Sequence, residues 1–327
     1  MKYYDFVRNI YTVKHPINVS WDITNRCNLS CKHCFNNSGD KSYHDFNKEF
    51  SKEKAFDIAH QLVDLKVSQC CLCGGETTLC EFLLDIIKIL ADGGVKTNIV
   101  SNGLLIDEEL SLNLKKAKVN NVQISVDGLS YQHDKFRNRL GAFNKAIEAI
   151  KHLKNQKIDT LISFCPNKYN YLSFEVYLEY MSSLGCNSVR MMPLLPLGRG
   201  CVNYTELCLT EKEQFLFIQT LTECKEKFPN IKIEWGDPLE HLTLVMVNKR
   251  RNPAIMGILS NGNISVTPYL NISVANVYDK SIKEIWENGY NKIWQQKEIL
   301  DVIRNIQTIP DLCMHSDKEF CFELFNK

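Results

Sequence analysis

The order of strand-like and helix-like segments from Ile17 to Pro193 restricts the fold of this chain more than any other feature. Apolar, β-branched runs predict strands, and the amphipathic stretches between them predict helices. This alternation is typical of βα units that build a parallel sheet. The expected strands are Ile17–Thr24, Val67–Cys73, Val95–Ser101, Asn121–Val126, Asp159–Phe164 and Ser188–Pro193. The expected helices are Lys52–Leu65, Glu81–Ala91, Asp107–Lys118, Ala142–Asn155 and Phe174–Leu184.

Six βα units agree with an open or partial barrel, although a flat doubly wound sheet would show the same alternation. We expect the fold class α/β, with a partial (β/α)6 TIM-type barrel and a small C-terminal α+β extension. In a barrel, ligands gather where the C-terminal ends of the strands meet the following loops. Functional residues are therefore sought at those strand ends.

The βα rhythm changes after residue 197, and the chain is expected to have three parts. Residues 1–197 form the barrel, 198–250 a linker of helices and a strand, and 251–327 a small hairpin followed by helices. The pair Asn261-Gly262 is a strong signal for the hairpin turn. The expected elements are helix Glu211–Lys227, strand Ile231–Trp235, helix Pro238–Val247, hairpin Ala254–Val277, and helices Ser281–Trp286 and Tyr290–Ile306.

Three cysteines, Cys27, Cys31 and Cys34, follow the first expected strand in the run CNLSCKHC. A structural zinc site is closed by four protein ligands, and an iron–sulfur cube takes one ligand per iron. Here no fourth cysteine is close in sequence, and His33 is poorly placed to share a metal with its neighbour Cys34. A cube held by three thiolates would keep one iron open to a substrate or cosubstrate. The motif therefore indicates reactive chemistry.

Composition excludes several classes of function. A net charge of +1 gives no bulk electrostatic reason to bind nucleic acid or an anionic membrane. No apolar stretch approaches the length of a membrane span, and the N-terminal segment is too polar for a signal peptide. The fourteen cysteines lack the arrangement of a secreted disulfide framework. We expect a soluble cytoplasmic protein in which a few thiols bind metal and most are simply buried.

Polar motifs also follow the second, third and fourth expected strands. Each taken alone is most often an ordinary turn or a solvated side chain. At a barrel mouth, however, glycine carbonyls accept hydrogen bonds from an ammonium group, Ser and Asn suit a ribose, and a forked guanidinium suits a carboxylate. The motifs are Gly74-Gly75-Glu76, Ser101-Asn102-Gly103, Ser125-Val126-Asp127-Gly128, His133-Asp134 and Arg137.

These motifs, in this order and each at a strand end, resemble the radical S-adenosylmethionine (SAM) superfamily over about residues 17–195. The resemblance implies a [4Fe-4S] cluster on Cys27, Cys31 and Cys34, which reductively cleaves SAM to a 5′-deoxyadenosyl radical that abstracts hydrogen from a substrate. One departure is Thr77, since the family usually has proline after the glutamate; this affects turn rigidity more than chemistry.

The same resemblance implies the residues that hold SAM. The Gly-Gly-Glu motif would meet the methionyl amino group, the Ser-Asn pair the ribose, and the arginine the methionyl carboxylate. The residues assigned to SAM binding are Gly74, Gly75, Glu76, Ser101, Asn102, Ser125, Asp127 and Arg137.

A second resemblance links the segment RMMPLLPLGRG and the hairpin region to the SPASM/Twitch subgroup, whose hairpin normally carries cysteines for auxiliary clusters. Here Thr267 stands where a cysteine is expected before Pro268, so an auxiliary cluster is not expected. Free thiols are the favoured interpretation of the four remaining C-terminal cysteines, and a four-ligand site is the alternative. These are Cys201, Cys208, Cys313 and Cys321.

Among the other cysteines, Cys70 and Cys71 are expected on opposite faces of one strand. Cys73 and Cys165 lie near strand ends, where a thiol facing the substrate cavity can quench a radical or donate hydrogen. Simple packing is the favoured interpretation for both, because free cysteine usually behaves as a small apolar residue.

The expected function is that of a radical SAM enzyme acting on a peptide. One alternative is a role in small-molecule cofactor or haem-type biosynthesis, and another is a non-catalytic protein that binds an iron–sulfur cluster or zinc. The enzyme would need a low-potential reductant such as flavodoxin or ferredoxin. Because the first strand begins near Ile17, a peptide substrate would need a separate leader-peptide-binding protein or recognition by the barrel mouth.

Overall fold

The structure is a computed structural model that describes residues 14–247, 253–315 and, for the backbone alone, 320–321. The described strands are β1 Asn18–Thr24, β2 Gln69–Gly74, β3 Lys96–Ser101, β4 Asn121–Ser125, β5 Asp159–Phe164, β6 Ser188–Met191, β7 Lys232–Trp235, β8 Ile255–Ile258, β9 Asn263–Thr267, β10 Leu270–Asn276 and β11 Phe320–Cys321. All eleven belong to one sheet in the order β11-β10-β9-β8-β1-β2-β3-β4-β5-β6-β7. Strands β1 to β7 pair in parallel, each with the next along the chain.

Helices connect the parallel strands as the alternation predicted. The described α-helices are α1 Lys52–Asp64, α2 Leu83–Asp92, α3 Glu108–Lys116, α4 Ser130–Arg137, α5 Ala142–Asn155, α6 Phe174–Ser183, α7 Arg199–Val202, α8 Tyr204–Leu207, α9 Glu211–Lys227, α10 Pro238–Val247, α11 Ile282–Glu287 and α12 Lys297–Arg304. Sequence reasoning did not predict α4, α7 or α8, which are short and weakly periodic. None of the helices in the described ranges has the length and apolarity that crossing a bilayer requires.

Interactions across the sheet show that it curves into a barrel. In a flat sheet, β2 and β6 would lie ~19 Å apart, because four spacings of about 4.8 Å separate them. In this structure the Arg190 guanidinium on β6 is instead within electrostatic reach of the Cys71 thiol on β2. It lowers the pKa of Cys71, in addition to the larger lowering by a hydrogen bond from Cys73. Tyr269, between β9 and β10, places its hydroxyl 3.9 Å from the Met192 sulfur just after β6. The partial barrel is therefore confirmed, and the flat doubly wound sheet is wrong.

The alternation along each strand separates an apolar outer face from a polar concave face. On β1, Val19, Trp21 and Ile23 are buried in the main core, and Trp21 meets the edge of the Phe50 ring at 5.9 Å. The residues between them point to the concave face. There the Asp22 carboxyl group makes no hydrogen bond with another described residue, and burial raises its pKa to about 7.

The C-terminal extension continues the barrel sheet. β8 pairs in parallel with β1, starting from Asn18 opposite Ile255, and β9 and β10 add antiparallel strands. The expected single hairpin is thus a three-stranded meander, because a second turn at Pro268-Tyr269 reverses the chain. The sheet runs through both predicted domain boundaries, and the division at residues 197 and 250 stays a prediction.

The last predicted helix is divided by a kink. Residues Tyr290–Gln295 form a 3-10 helix, Gln296 is extended, and α12 follows. The buried hydroxyl of Tyr290 lies 2.9 Å from the carbonyl oxygen of Ser265 on β9 and 3.2 Å from that of Ile255 on β8. This one side chain fastens the C-terminal helices to the meander.

Replacing Tyr290 with phenylalanine should therefore destabilise the protein by about 1–3 kcal/mol, because a buried carbonyl loses its donor. Urea denaturation measures this loss. Tyr131→Phe is the control, since the Tyr131 side chain is 74 % exposed and its change should be close to neutral. Equal effects for the two variants would contradict this role of the Tyr290 hydroxyl.

The raised pKa of Asp22 predicts that the stability of the folded protein depends on pH. Its raised pKa means that the folded protein holds a proton that the unfolded chain releases above about pH 4. The folded state therefore loses stability as the pH rises from about 4 through about 7. Asp22→Asn removes this loss, so its melting temperature should exceed that of the wild type at pH 8, and the gap should shrink towards pH 5. A gap independent of pH would show that Asp22 titrates normally.

Candidate active site

The three motif cysteines occupy the loop that leaves the C-terminal end of β1. The Glu49 side chain holds the start of this loop: its carboxylate accepts hydrogen bonds from the Thr24 hydroxyl at 3.0 Å and from the Asn25 amide at 2.6 Å. Cys31 is buried, whereas Cys27 and Cys34 are half-buried. The loop therefore presents its thiols on the inner side of the barrel mouth.

The three thiols lie within electrostatic reach of one another. Burial raises the pKa of Cys31 to about 12, Arg137 opposes that rise, and the thiolates of Cys34 and Cys27 add to it. Burial also raises the pKa of Cys27, and Glu76 and Cys34 contribute to the increase. A bound metal would favour the deprotonated thiolates that burial disfavours. Three thiols within electrostatic reach of one another, beside a fixed cation, are a donor set of the kind that an anionic iron–sulfur cluster takes.

Arg137, the last residue of α4, is buried beside the thiols. Its Nε and Nη2 atoms donate to the Oδ2 atom of Asp127 at 2.8 and 2.7 Å, and its Nη1 atom lies 3.9 Å from the Cys31 sulfur. Burial alone would raise the pKa of Asp127, but Arg137 and His33 lower it below its ordinary value. In this structure the guanidinium thus binds a protein carboxylate, and its contact with the carboxylate of SAM stays a prediction.

The His133-Asp134 pair has a structural role. The Nδ1 atom of His133 accepts a hydrogen bond from the Asp127 amide at 3.0 Å, and burial lowers the pKa of His133 to about 4. Asp134 accepts from the amides of Gly141 and Phe143 and so caps the start of α5. His133 thus fixes the backbone at Asp127, and Asp134 fixes the start of α5.

Glu76 joins the ends of two neighbouring strands. Its buried carboxylate accepts hydrogen bonds from the Ser101 hydroxyl and the Asn102 amide, both at 2.7 Å, and from the Thr78 hydroxyl at 2.7 Å. The Asn102 side-chain amide in turn donates to the Asn28 side chain, within the cysteine motif, at 2.7 Å. Glu76 is thus a positioning residue, and its predicted contact with the methionyl amino group is not tested by this geometry.

The two glycines before Glu76 are required by a close approach of two backbones. A Cβ atom on Gly74 would lie 2.1 Å from the Thr24 carbonyl oxygen, and one on Gly75 would lie 2.1 Å from that of Arg26. Two hydrogen bonds join the same segments: the Gly75 amide donates to Thr24 at 2.7 Å, and the Glu76 amide donates to Arg26 at 2.8 Å. The glycine pair thus lets the end of β2 lie directly against the cysteine loop.

Two other predicted features of the strand ends have structural partners. Thr77, which stands where the family usually has proline, is buried and donates its hydroxyl hydrogen bond to the Val100 carbonyl at 2.9 Å. This bond can supply turn rigidity in place of a proline ring. Ser125, at the end of β4, accepts a hydrogen bond from the Ser163 hydroxyl at 3.3 Å.

Sequence reasoning missed a set of contacts from α7 to the cysteine loop. Arg199 donates to the carbonyl oxygens of Cys31 at 2.9 Å and Ser38 at 3.1 Å, and Asn203 donates to that of Lys32 at 3.0 Å. The preceding residue, Gly198, has a φ of +53° and leaves no room for a Cβ atom. The signal was the GRG sequence, which was interpreted as part of a loop.

Residues 36–47, a polar insertion after Cys34, fold back over the start of the cysteine loop. The His44 ring lies 2.9 Å from the Asn25 side-chain amide and 2.6 Å from the Asn36 carbonyl oxygen. A cleft of about 790 Å³ opens between the insertion and Cys27. Its lining residues are Arg26, Cys27, Gly39, Lys41, Ser42, Tyr43, His44, Asp45, Phe46 and Asn47.

The C-terminal cysteines correct one prediction. Cys201 and Cys313 form a disulfide between α7 and the 3-10 helix Ile309–His315, so they are not the free thiols that were expected. Their separation of 112 residues concealed the pairing. Cys208 is free, and its sulfur lies 3.4 Å from the Leu209 carbonyl oxygen. The side chain of Cys321 lies outside the described residues.

Comparisons with known proteins agree with this geometry. The model of the Radical SAM superfamily matches residues 21–181. The chain is 31% identical over 225 residues to the sporulation killing factor maturation protein SkfB of Bacillus subtilis, covering 68% of this chain and 52% of that protein. It is 28% identical over 262 residues to the Fe-coproporphyrin III synthase of Methanosarcina barkeri, covering 77% of this chain and 65% of that protein.

The chain thus spans about half to two-thirds of the length of these curated relatives. Its fold is similar to that of Streptococcus suis SuiB bound to the precursor peptide SuiA, with a TM-score of 0.69 and 15% identity over 98% of this chain and 77% of SuiB. The order of the motifs, the barrel fold and the family model all indicate the same family. Residues 21–181 of this chain form a domain of the Radical SAM superfamily.

Proposed function

We propose that Cys27, Cys31 and Cys34 hold a [4Fe-4S] cluster and that the protein is a radical SAM enzyme. With cluster and SAM bound, reductive cleavage of SAM would supply a 5′-deoxyadenosyl radical that abstracts hydrogen from the substrate. The observation that carries the proposal is that three thiols in the loop after β1 lie within electrostatic reach of one another, with a buried arginine 3.9 Å from the Cys31 sulfur. A low-potential one-electron donor, such as flavodoxin or ferredoxin, completes the scheme.

The chain's own residues would prepare this site in two ways. Arg137 lies 3.9 Å from the Cys31 sulfur and offsets negative charge on the ligands, while Asp127 keeps the arginine in place. Glu76 holds the ends of β2 and β3 at fixed positions around the cavity. SAM binding by the predicted residues follows from the family motif. These residues are Gly74, Gly75, Glu76, Ser101, Asn102, Ser125, Asp127 and Arg137.

We assign a peptide as the substrate class. The relative with the higher identity, SkfB, is a maturation protein, and maturation modifies a precursor that is already made. Within the described residues, β7 pairs only with β6, so the sheet keeps an open edge beside the barrel. An open edge admits an extended chain more easily than a closed barrel does. A separate leader-peptide-binding protein is a further partner of this proposal.

A haem-type small molecule is the second candidate. It is favoured by the likeness to Fe-coproporphyrin III synthase and by Arg190, a cation on the concave face with no ion pair among the described residues. A guanidinium at this place would bind a propionate carboxylate. Incubation with a porphyrin and with candidate precursor peptides separates the two substrate classes.

The central test is anaerobic reconstitution with iron and sulfide, followed by a reductant and SAM. We expect about four irons per chain and measurable 5′-deoxyadenosine, with both lost when Cys27, Cys31 and Cys34 are all replaced by alanine. A count of about eight irons would show that an auxiliary cluster is present. Bound SAM that is never cleaved would favour the non-catalytic alternative, and tightly bound zinc without iron would exclude the enzyme.

The glycine pair gives a second prediction. Gly75→Ala places a Cβ atom against the Arg26 carbonyl oxygen, so the cysteine loop must move. Iron content after reconstitution should fall to less than half, because the loop no longer presents Cys27 correctly. The matched control is Gly236→Ala, where the nearest atom to a new Cβ is the Met191 carbonyl oxygen at 3.6 Å, an ordinary contact. Equal iron contents in the two variants would contradict the close-approach argument.

A further inference from the structure

Two thiols on the concave face of β2 form a close pair. The sulfur atoms of Cys71 and Cys73 lie 3.4 Å apart, within hydrogen-bond distance. Cys70 and Leu72 alternate with them and are fully buried in the core on the other face. Both paired thiols thus face the barrel interior. They are half-buried and are not packed in the apolar core as Cys70 is.

The surroundings of this dithiol are polar. In the register of β1 and β2, Ser20 lies opposite Cys71, and Asp22 lies opposite Cys73. The Ser20 hydroxyl is 3.9 Å from the Cys73 sulfur. Asp22 and Arg190 both act electrostatically on Cys71. A thiol pair beside a buried carboxyl group and within electrostatic reach of a guanidinium has a polar environment, unlike that of an apolar core.

The dithiol is also next to the proposed SAM site. Cys73 directly precedes Gly74-Gly75-Glu76, and these residues lie against the cysteine loop through the Gly75–Thr24 and Glu76–Arg26 hydrogen bonds. Cys73 is therefore the member of the pair that lies nearer to the proposed SAM site.

We propose that Cys71 and Cys73 form a dithiol that donates a hydrogen atom to a carbon radical generated in the barrel interior. The proposal rests on the proposed radical SAM function and deepens it, because it makes the substrate carbon regain a hydrogen from the protein. An S–H bond is weaker than the C–H bond of an ordinary alkyl carbon, so the transfer to a 5′-deoxyadenosyl or alkyl side-chain radical is downhill.

The state of the pair suits this step. The hydrogen bond between them lowers the pKa of Cys71 and raises that of Cys73, so Cys73 keeps its hydrogen more firmly than Cys71 does. Arg190 adds to the lowering at Cys71.

The electrons balance as follows for a substrate radical. The S–H bond of Cys73 breaks, its hydrogen atom forms the new C–H bond, and a thiyl radical remains on Cys73. Cys71 gives up its proton, and its sulfur forms with the thiyl radical an S–S bond that carries one excess electron. That electron passes to the oxidised form of a one-electron carrier such as flavodoxin, and an external dithiol reduces the disulfide for the next turnover.

The test needs no substrate. The reconstituted full chain is given SAM and one equivalent of reduced flavodoxin in D2O, without dithionite or added thiols, so that the exchangeable Cys73 hydrogen is deuterium. Oxidised flavodoxin, formed when the cluster is reduced, is then present to accept the excess electron. The 5′-deoxyadenosine should then carry one deuterium, and peptide mapping should find a Cys71–Cys73 disulfide. In Cys73→Ser the deuterium should be lost, because an O–D bond is too strong to donate. In Cys71→Ser the disulfide should be lost.

Cys70→Ala is the matched control, since it removes the adjacent thiol from the opposite face and should keep both signals. Melting temperature and iron content of each variant show that it folds and binds the cluster. Undeuterated 5′-deoxyadenosine from the wild type, or deuterium that persists in Cys73→Ser, overturns the dithiol proposal alone. Complete absence of 5′-deoxyadenosine from the wild type overturns the proposed function and this inference together.

Discussion

The contact between the end of β2 and the cysteine loop is the constraint on which the candidate site depends. The loop has no regular secondary structure, so its backbone polar groups need partners from elsewhere. The amides of Gly75 and Glu76 supply two of them through bonds to Thr24 and Arg26. Only glycine permits the approach, because a Cβ atom at Gly75 would lie 2.1 Å from a carbonyl oxygen. The cysteine positions follow from this packing.

Buried charge is the second organising element. Asp127 and Arg137 bind each other inside the protein, and removing one partner of such a pair strands the other charge at a cost of about 3–5 kcal/mol. The arginine nevertheless keeps one nitrogen near Cys31, where a bound cluster would add negative charge. The ion pair thus stabilises the barrel mouth and supplies its positive charge. Asp22 and Arg190, deeper on the concave face, remain available to a substrate.

Residues with local signals were predictable, whereas those defined by distant contacts were not. The parallel strands, their connecting helices and the motif cysteines could be predicted because periodicity and spacing are local properties. The clamp from Arg199 escaped prediction because its partner, Cys31, is 168 residues away. The Cys201–Cys313 disulfide escaped for the same reason. Glu76 was predicted at the site. Its hydrogen bonds with Ser101 and Asn102 were not predicted, because they depend on the register of β2 and β3.

The sequence by itself determined which groups are present for binding and chemistry. These are three cysteines in a motif without a nearby fourth cysteine, and glycine and polar motifs at the ends of parallel strands. These properties lie in residue type and spacing, which do not depend on the path of the chain. Tertiary structure alone decided which side chains are occupied by protein partners and which face the cavity. Sheet curvature is the physical reason. It brings Arg190 on β6 within electrostatic reach of Cys71 on β2, and only in that curved interior can a thiol pair meet a substrate.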